Sequence, residues 1–238
     1  MYNDKLKDII NSSDNRMTLW SSIFKEFDLK NVAEIGVYKG EFAEYMLKNK
    51  SFQKYNLIDP WRHLDDWNKP ANEKDDIFTK MLLDVKSKLS EHNEIVEYHQ
   101  GTTSEVIEGF EDFSLDFGYI DADHSLKGVL VDLICWYEKI KVGGFLGGDD
   151  CDFDPYQHSL RYEPTLVFPA VLYFAEAVGD TIYLLPYNQF LIHKSSQRKF
   201  KVVNFSGLKY DDSMLSRMNF SSLKTSLIKT LKKKIQLK

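Results

Sequence analysis

The sequence predicts an α/β fold, a mostly parallel sheet with helices on both faces. Short apolar runs of β type alternate with helical periodicity through most of the chain, which is the pattern of a parallel sheet. The segment from Asp116 to Asp150, DFGYIDADHSLKGVLVDLICWYEKIKVGGFLGGDD, reads as strand, turn, helix, turn, strand. Both of its strands end in aspartate, at the sheet edge where open α/β folds bind their ligands.

Lys5 to Ile10 and Thr18 to Phe27 read as short amphipathic helices, with Ile23, Phe24 and Phe27 facing the sheet. Asn31 to Ile35 is a first strand that breaks at Gly36-Val37-Tyr38-Lys39-Gly40 and runs into a helix from Glu41 to Asn49. Tyr55 to Ile58 is a second strand ending in Asp59. Pro60 to Asp76 is a polar, aromatic loop, and irregular segments of that length are usually functional or mobile. Ile77, Met81, Leu82, Val85 and Leu89 mark a helix, and Ile95 to His99 a third strand. Thr102 and Glu105 have capping-box spacing, which starts a short helix.

Phe117 to Ile120 is a continuous apolar run, as in a strand buried on both faces. Leu126, Val129, Leu130, Leu133, Ile134 and Tyr137 then recur at helical spacing. Gly143-Gly144 is expected to break that helix, with Phe145 and Leu146 starting the fifth strand. After another irregular stretch, Leu166 to Val178 is an apolar helix. Thr181 to Leu185 and Phe190 to His193 form a hairpin whose last strand runs antiparallel, the seventh of the sheet. Lys201 to Phe205 either adds a strand or crosses the surface. The expected organisation is N-terminal helices over residues 1–30, a ligand-binding domain over 31–205 and a basic tail over 206–238.

The chain's 238 residues suffice for one α/β domain with a full core. Its formal net charge of -5 argues against nucleic acid as a partner. Cys135 and Cys151 do not suggest a disulfide framework, and a reducing compartment fits them. The N-terminus is too polar for a signal peptide, and no apolar run approaches the ~20 residues that span a bilayer. A cytoplasmic protein is expected. From Ser221 to Lys238 there are six Lys and no acid, with Leu223, Leu227, Ile228, Leu231 and Ile235 near one helical face. Such a helix suits an anionic membrane surface, and a solubilising tail is the structural alternative. A homo-oligomer is equally compatible with the sequence.

At the first turn, Gly36 permits a tight bend and Gly40 a close approach of the following helix, whose N-terminus offers free N–H groups. The middle glycine of G-x-G-x-x-G is missing, so a pyrophosphate and a nicotinamide cofactor fit poorly. A cofactor without phosphates fits better. Glu34, on the first strand, suits a ligand carrying an ammonium or sulfonium. Asp59 lies where an acid can hold both ribose hydroxyls.

AEIGVYKGEF, LIDPW, YHQGTTSEV, FGYIDADHS and KVGGFLGGDD, in this order and spacing, resemble the class I S-adenosylmethionine-dependent methyltransferases. Within that class the chain is similar to bacterial sugar and small-molecule O-methyltransferases, with a catechol O-methyltransferase-like acidic motif. The resemblance covers about Asn31 to Lys194 and implies a Rossmann-like methyltransferase fold. It implies that Glu34, Gly36 and Gly40 line the methionine part of the cofactor, that Asp59 binds the ribose with Trp61 close by, and that Tyr38 also belongs to the cofactor site. Gln100, Gly101 and Thr102 would lie near the adenine, with Asp121 also in the cofactor site. In metal-dependent members the acids ending strands four and five hold a divalent ion. Those roles would fall on Asp121, Asp149 and Asp150. All-oxygen ligation selects Mg²⁺ first, with Mn²⁺ and Ca²⁺ also compatible.

The expected reaction is methyl transfer to a hydroxyl of a sugar, glycan or related small molecule, with His124 or Asp123 removing the proton. His124 could instead orient the turn, and Asp123 could cap the helix that follows. Tyr156, Arg161 and Tyr162 lie in the second irregular loop, either at the substrate or in solvent. A non-catalytic, cofactor-binding accessory subunit of a glycan or natural-product pathway is the rival reading.

Overall fold

The computed structural model describes residues 2–152 and 154–207, and residues 224, 225, 227, 228 and 231 of the tail. Among the described residues, eight strands form one sheet: β1 (Asn31–Ile35), β2 (Lys54–Asp59), β3 (Val96–Gln100), β4 (Leu115–Ile120), β5 (Ile140–Gly148), β6 (Thr181–Leu185), β7 (Gln189–His193) and β8 (Lys201–Asn204). Their order is β3-β2-β1-β4-β5-β7-β6-β8. β1 to β5 are mutually parallel, and β7 is inserted antiparallel between β5 and β6. The sheet therefore has one strand more than the expected seven. β8 pairs parallel with the outer edge of β6 and covers it.

The helices are α1 (Tyr2–Asn11), α2 (Arg16–Glu26), α3 (Glu41–Asn49), α4 (Asp75–Lys88), α5 (Thr103–Val106), α6 (Leu126–Lys139) and α7 (Val167–Val178). On one face of the sheet Leu6, Trp20, Ile23, Phe24, Phe42 and Val85 meet Phe117 and Tyr119 in a common core. On the other, Val129, Leu133 and Trp136 of α6 join Phe168 and Val171 of α7. Burial of these large side chains, each worth roughly 1.5–3 kcal/mol, fixes the layers.

Gly143-Gly144 does not end the helix before it. α6 stops at Lys139, and β5 begins at once and carries both glycines. Gly143 takes φ +90 where the register against β4 shifts between Leu115 and Phe117. The glycines thus accommodate an irregular strand start rather than a turn.

Strand order reverses between β1 and β4, and the crevice opens beyond their C-terminal ends. The ladder continues one residue past each strand. Gly36 N–H donates to Ile58 O at 2.9 Å, Asp121 N–H to Ile35 O at 2.8 Å and Asp149 N–H to Ile120 O at 3.1 Å. The turns that follow β1, β4 and β5 are therefore locked side by side.

Candidate active site

The first turn is built around Gly36 and Asp59. Gly36 takes φ +89, and a Cβ there would lie 2.1 Å from the backbone oxygen of Asp121, so only glycine fits. Asp59 Oδ2 accepts the N–H groups of Val37 at 3.0 Å and Tyr38 at 2.8 Å, and Oδ1 accepts that of Trp61 at 2.7 Å. Burial raises the Asp59 pKa above the usual carboxylate value, and these donors oppose the rise.

Glu34 is buried beneath the turn and accepts the Tyr55 hydroxyl at 2.8 Å. Burial pushes its pKa up to about 8, against the Tyr55 hydrogen bond, with nearby Asp121 adding to the rise. A buried carboxyl held near neutrality readily ionises when a cation arrives beside it.

At the end of β3, Thr102 N–H donates to Glu105 at 2.8 Å, and Arg62 reaches across to the same carboxylate at 2.7 Å. Beneath them Trp136 Nε1–H donates to Thr103 Oγ1 at 2.9 Å, and Thr103 Oγ1–H donates to Asp132 at 2.5 Å. Burial raises Asp132 to about 7.

The acidic turns bring Asp121, His124, Asp149 and Asp150 together, with Arg16 beside them. His124 places Nδ1 2.8 Å from Asp150 Oδ2 and Nε2 3.4 Å from Asp121 Oδ1. Nε2 is buried without a well-aligned partner. Burial lowers the His124 pKa, but the two carboxylates outweigh it and bring it to about 9. Asp150 has φ 56, a left-handed conformation that costs a non-glycine residue about 1–2 kcal/mol, and Asp149 Oδ1 accepts its N–H at 2.7 Å. Arg16, the first residue of α2, pairs through Nη1 with Asp149 and lies 3.4 Å from Asp121 Oδ2. Gln189 Nε2–H also donates to Asp149.

Two loops enclose this ground. Lys69 donates to the carbonyls of Glu163 at 2.9 Å and Pro164 at 3.1 Å, and Asn68 to that of Arg161 at 2.8 Å. Leu166 N–H donates to His124 O at 2.8 Å. The cavity beneath has a volume of about 1350 Å³ and reaches from Gly101 and Asp132 past Gly36 to His124 and Asp150. That exceeds the ~300–1,000 Å³ typical of one small ligand, so it has room for two molecules side by side.

Of the residues singled out in the sequence, Glu34, Gly36, Tyr38, Asp59, Gly101, Thr102, Asp121, Asp123, His124 and Asp150 line this cavity. Gly40, Trp61, Gln100 and Asp149 do not. Gly40 packs its backbone on Val85, and Trp61 is buried with Nε1–H donating to Tyr38 O at 3.0 Å. Gln100 reaches back to Pro60 O at 3.3 Å. Asp123 is occupied: it accepts Ser125 N–H at 2.9 Å, Ser125 Oγ–H at 2.9 Å and Trp67 Nε1–H at 3.2 Å. Asp123 therefore shapes the start of α6. Of the second-loop candidates, Tyr156, Arg161 and Tyr162 stand outside the cavity lining.

Arg16 and Gln189 escaped the sequence reading. The signal for Arg16 was an arginine directly after the Asn15 helix cap, where the helix dipole disfavours a cation. Nothing in sequence links it to Asp121, 105 residues away. No signal marks Gln189, which is 1% exposed and accepts Trp20 Nε1–H at 2.6 Å and the Tyr119 hydroxyl at 3.0 Å.

Residues 33–151, half of the chain, match a family model described as a methyltransferase domain. No curated protein matches the chain. The fold is similar to a putative caffeoyl-CoA O-methyltransferase from Staphylococcus aureus, at TM-score 0.57 and 15% identity, over 80% of this chain and 88% of that one. An O-methyltransferase from Bacillus cereus in complex with SAH gives TM-score 0.54 and 13% identity, over 79% and 89%. TomG from Streptomyces achromogenes, an O-methyltransferase of tomaymycin synthesis in complex with SAM, gives TM-score 0.54 and 14% identity, over 76% and 80%.

Proposed function

The chain belongs to the methyltransferase-domain family and is an S-adenosylmethionine-dependent methyltransferase, and from that premise we propose that it methylates a hydroxyl of a sugar, glycan or related small molecule. The observation that carries this is the single cavity joining the Gly36–Asp59 turn to the His124–Asp150 pair. One end suits a cofactor with cationic centres over Glu34. The other offers a group able to take a proton.

In the reaction the acceptor oxygen attacks the methyl carbon, the carbon–sulfur bond breaks, and S-adenosylhomocysteine leaves. Alignment and charge placement supply most of the acceleration. His124 takes the hydroxyl proton, oriented by Asp150 at 2.8 Å. Free, the imidazole holds its own proton up to about 9. A bound sulfonium would oppose the two carboxylates, because like charges disfavour the charged form. Trp67 and Tyr38 offer aromatic faces in the cavity, and Asp65, Asp66 and Glu163 offer acceptors, a lining that suits a polyol.

A divalent ion was expected among Asp121, Asp149 and Asp150. Asp149 is turned to Arg16 and Gln189, so the three carboxylates do not face one point. The groups that do converge are Asp121, His124 and Asp150, with ligand atoms within 4.8 Å of one another. There the imidazole already occupies the space between the two acids. The expected all-oxygen set does not fit this arrangement.

The test is product formation. S-adenosylmethionine and a panel of sugar nucleotides, lipid-linked glycans and catechols should yield S-adenosylhomocysteine, with His124→Ala slower by roughly 10²–10⁴-fold. A protein that binds the cofactor yet turns over no hydroxyl acceptor would be the accessory subunit instead. We also infer a cytoplasmic protein whose basic tail docks on anionic membrane, which suits a lipid-linked acceptor. No described helix is long and apolar enough to cross a membrane.

A further inference from the structure

Three carboxylates, those of Asp121, Asp149 and Asp150, sit at the ends of two neighbouring strands. Acids so close repel one another unless a cation lies among them. His124 stands between Asp121 and Asp150; we propose that Arg16 is the cation for Asp121 and Asp149, and that this chain holds its acidic cluster with a guanidinium where a divalent ion would otherwise be needed. The inference deepens the methyltransferase reading and rests on it.

The position of Arg16 is costly without the acids. It is the first residue of α2, where the positive end of the helix dipole disfavours a cation. It is also fixed. Asn15 Oδ1 accepts the N–H groups of Met17 at 2.9 Å and Thr18 at 3.0 Å, which sets the start of the helix. One turn on, Trp20 is buried against Phe117 and Tyr119 and donates to Gln189 at 2.6 Å. Gln189 in turn donates to Asp149. One chain of contacts therefore runs from the helix that carries the guanidinium to the carboxylate it pairs with.

The carboxylate oxygens are largely taken. Asp149 Oδ2 contacts Arg16, and its Oδ1 accepts from Gln189 and from Asp150 N–H. Asp121 Oδ2 faces Arg16 at 3.4 Å, while His124 stands between Asp121 Oδ1 and Asp150 Oδ2. An ion shared by Asp121 and Asp149 would have to sit where the Arg16 nitrogen sits. A guanidinium is permanently charged and has five N–H donors, so it can hold two carboxylates with donors to spare. Arg16 also lines the cavity, where its charge favours an acceptor oxygen as that oxygen gains negative charge.

The test is Mn²⁺ binding, read by electron paramagnetic resonance on the full chain and on Arg16→Ala. Arg16 is partly exposed, with 37% of its side chain accessible, so the substitution is compatible with folding. The wild type should leave the free Mn²⁺ signal undiminished up to about 1 mM. Arg16→Ala should bind one Mn²⁺ at least about tenfold more tightly, because a repelling charge has gone and two carboxylates are released. Tight Mn²⁺ binding by the wild type would overturn the proposal. So would a variant that binds Mn²⁺ no better than the wild type does. S-adenosylmethionine binding, measured separately on both proteins, tells failure of the methyltransferase reading apart from failure of this one.

Discussion

Glu34 shows how one side chain links stability to ligand. An exposed glutamate ionises near 4.5, whereas Glu34 in the folded chain ionises near about 8 because it is buried. Between those values the unfolded chain has lost the proton and the folded chain still holds it. Stability without cofactor is therefore full below about 4.5 and falls as pH rises toward about 8. The complete shift corresponds to about 3–5 kcal/mol. Glu34→Gln should remove most of that slope, and urea titrations of both proteins at several pH values would show it. Identical slopes would mean that Glu34 is not the buried acid described here. Glu34 was legible as a carboxylate on the first strand, but its proton was not, since the pKa depends on tertiary burial and on Tyr55. Asp123 shows the opposite limit. Its place beside His124 suggested a base or a helix cap, and the contacts to Ser125 and Trp67 show the carboxylate bracing the turn.

At the scale of elements, the parallel strands β1 to β4 were readable because each is a short apolar run between turn residues. β5 was readable only at its C-terminal half, because a glycine pair signals a turn locally while ladder pairing with β4 makes it strand. β8 was ambiguous because KVVN is short and polar at both ends. α2 was visible, but not that its first residue reaches the acidic turns. The tail, expected as an amphipathic basic helix, lies mostly outside the described residues. Leu227, Ile228 and Leu231, which are described, are helical and exposed. Each Lys near an anionic surface adds about 1 kcal/mol to membrane affinity. The full chain should therefore sediment with anionic vesicles at low salt, and removal of residues 220–238 should release it. Equal sedimentation of the truncated chain would show that the tail does not dock.

At the scale of the molecule, the switch point between β1 and β4 turns a list of scattered motifs into one cavity. Asp59 is central to it, because its carboxylate braces the Val37, Tyr38 and Trp61 amides of the first turn while lining the cavity. The sequence placed Asp59 on the ribose and left this bracing unseen, since hydrogen bonds to backbone amides leave no mark in residue order. Loss of a charge-assisted contact of about 1.5–3 kcal/mol should weaken the cofactor by roughly tenfold to a hundredfold. The most direct measurement is calorimetric titration of S-adenosylmethionine into the wild type and Asp59→Ala, with folding of both checked by circular dichroism. One-to-one binding by the wild type, weakened tenfold or more in the variant, is the predicted result. A folded wild type that takes up no S-adenosylmethionine, or a folded variant that binds it equally well, would contradict the account.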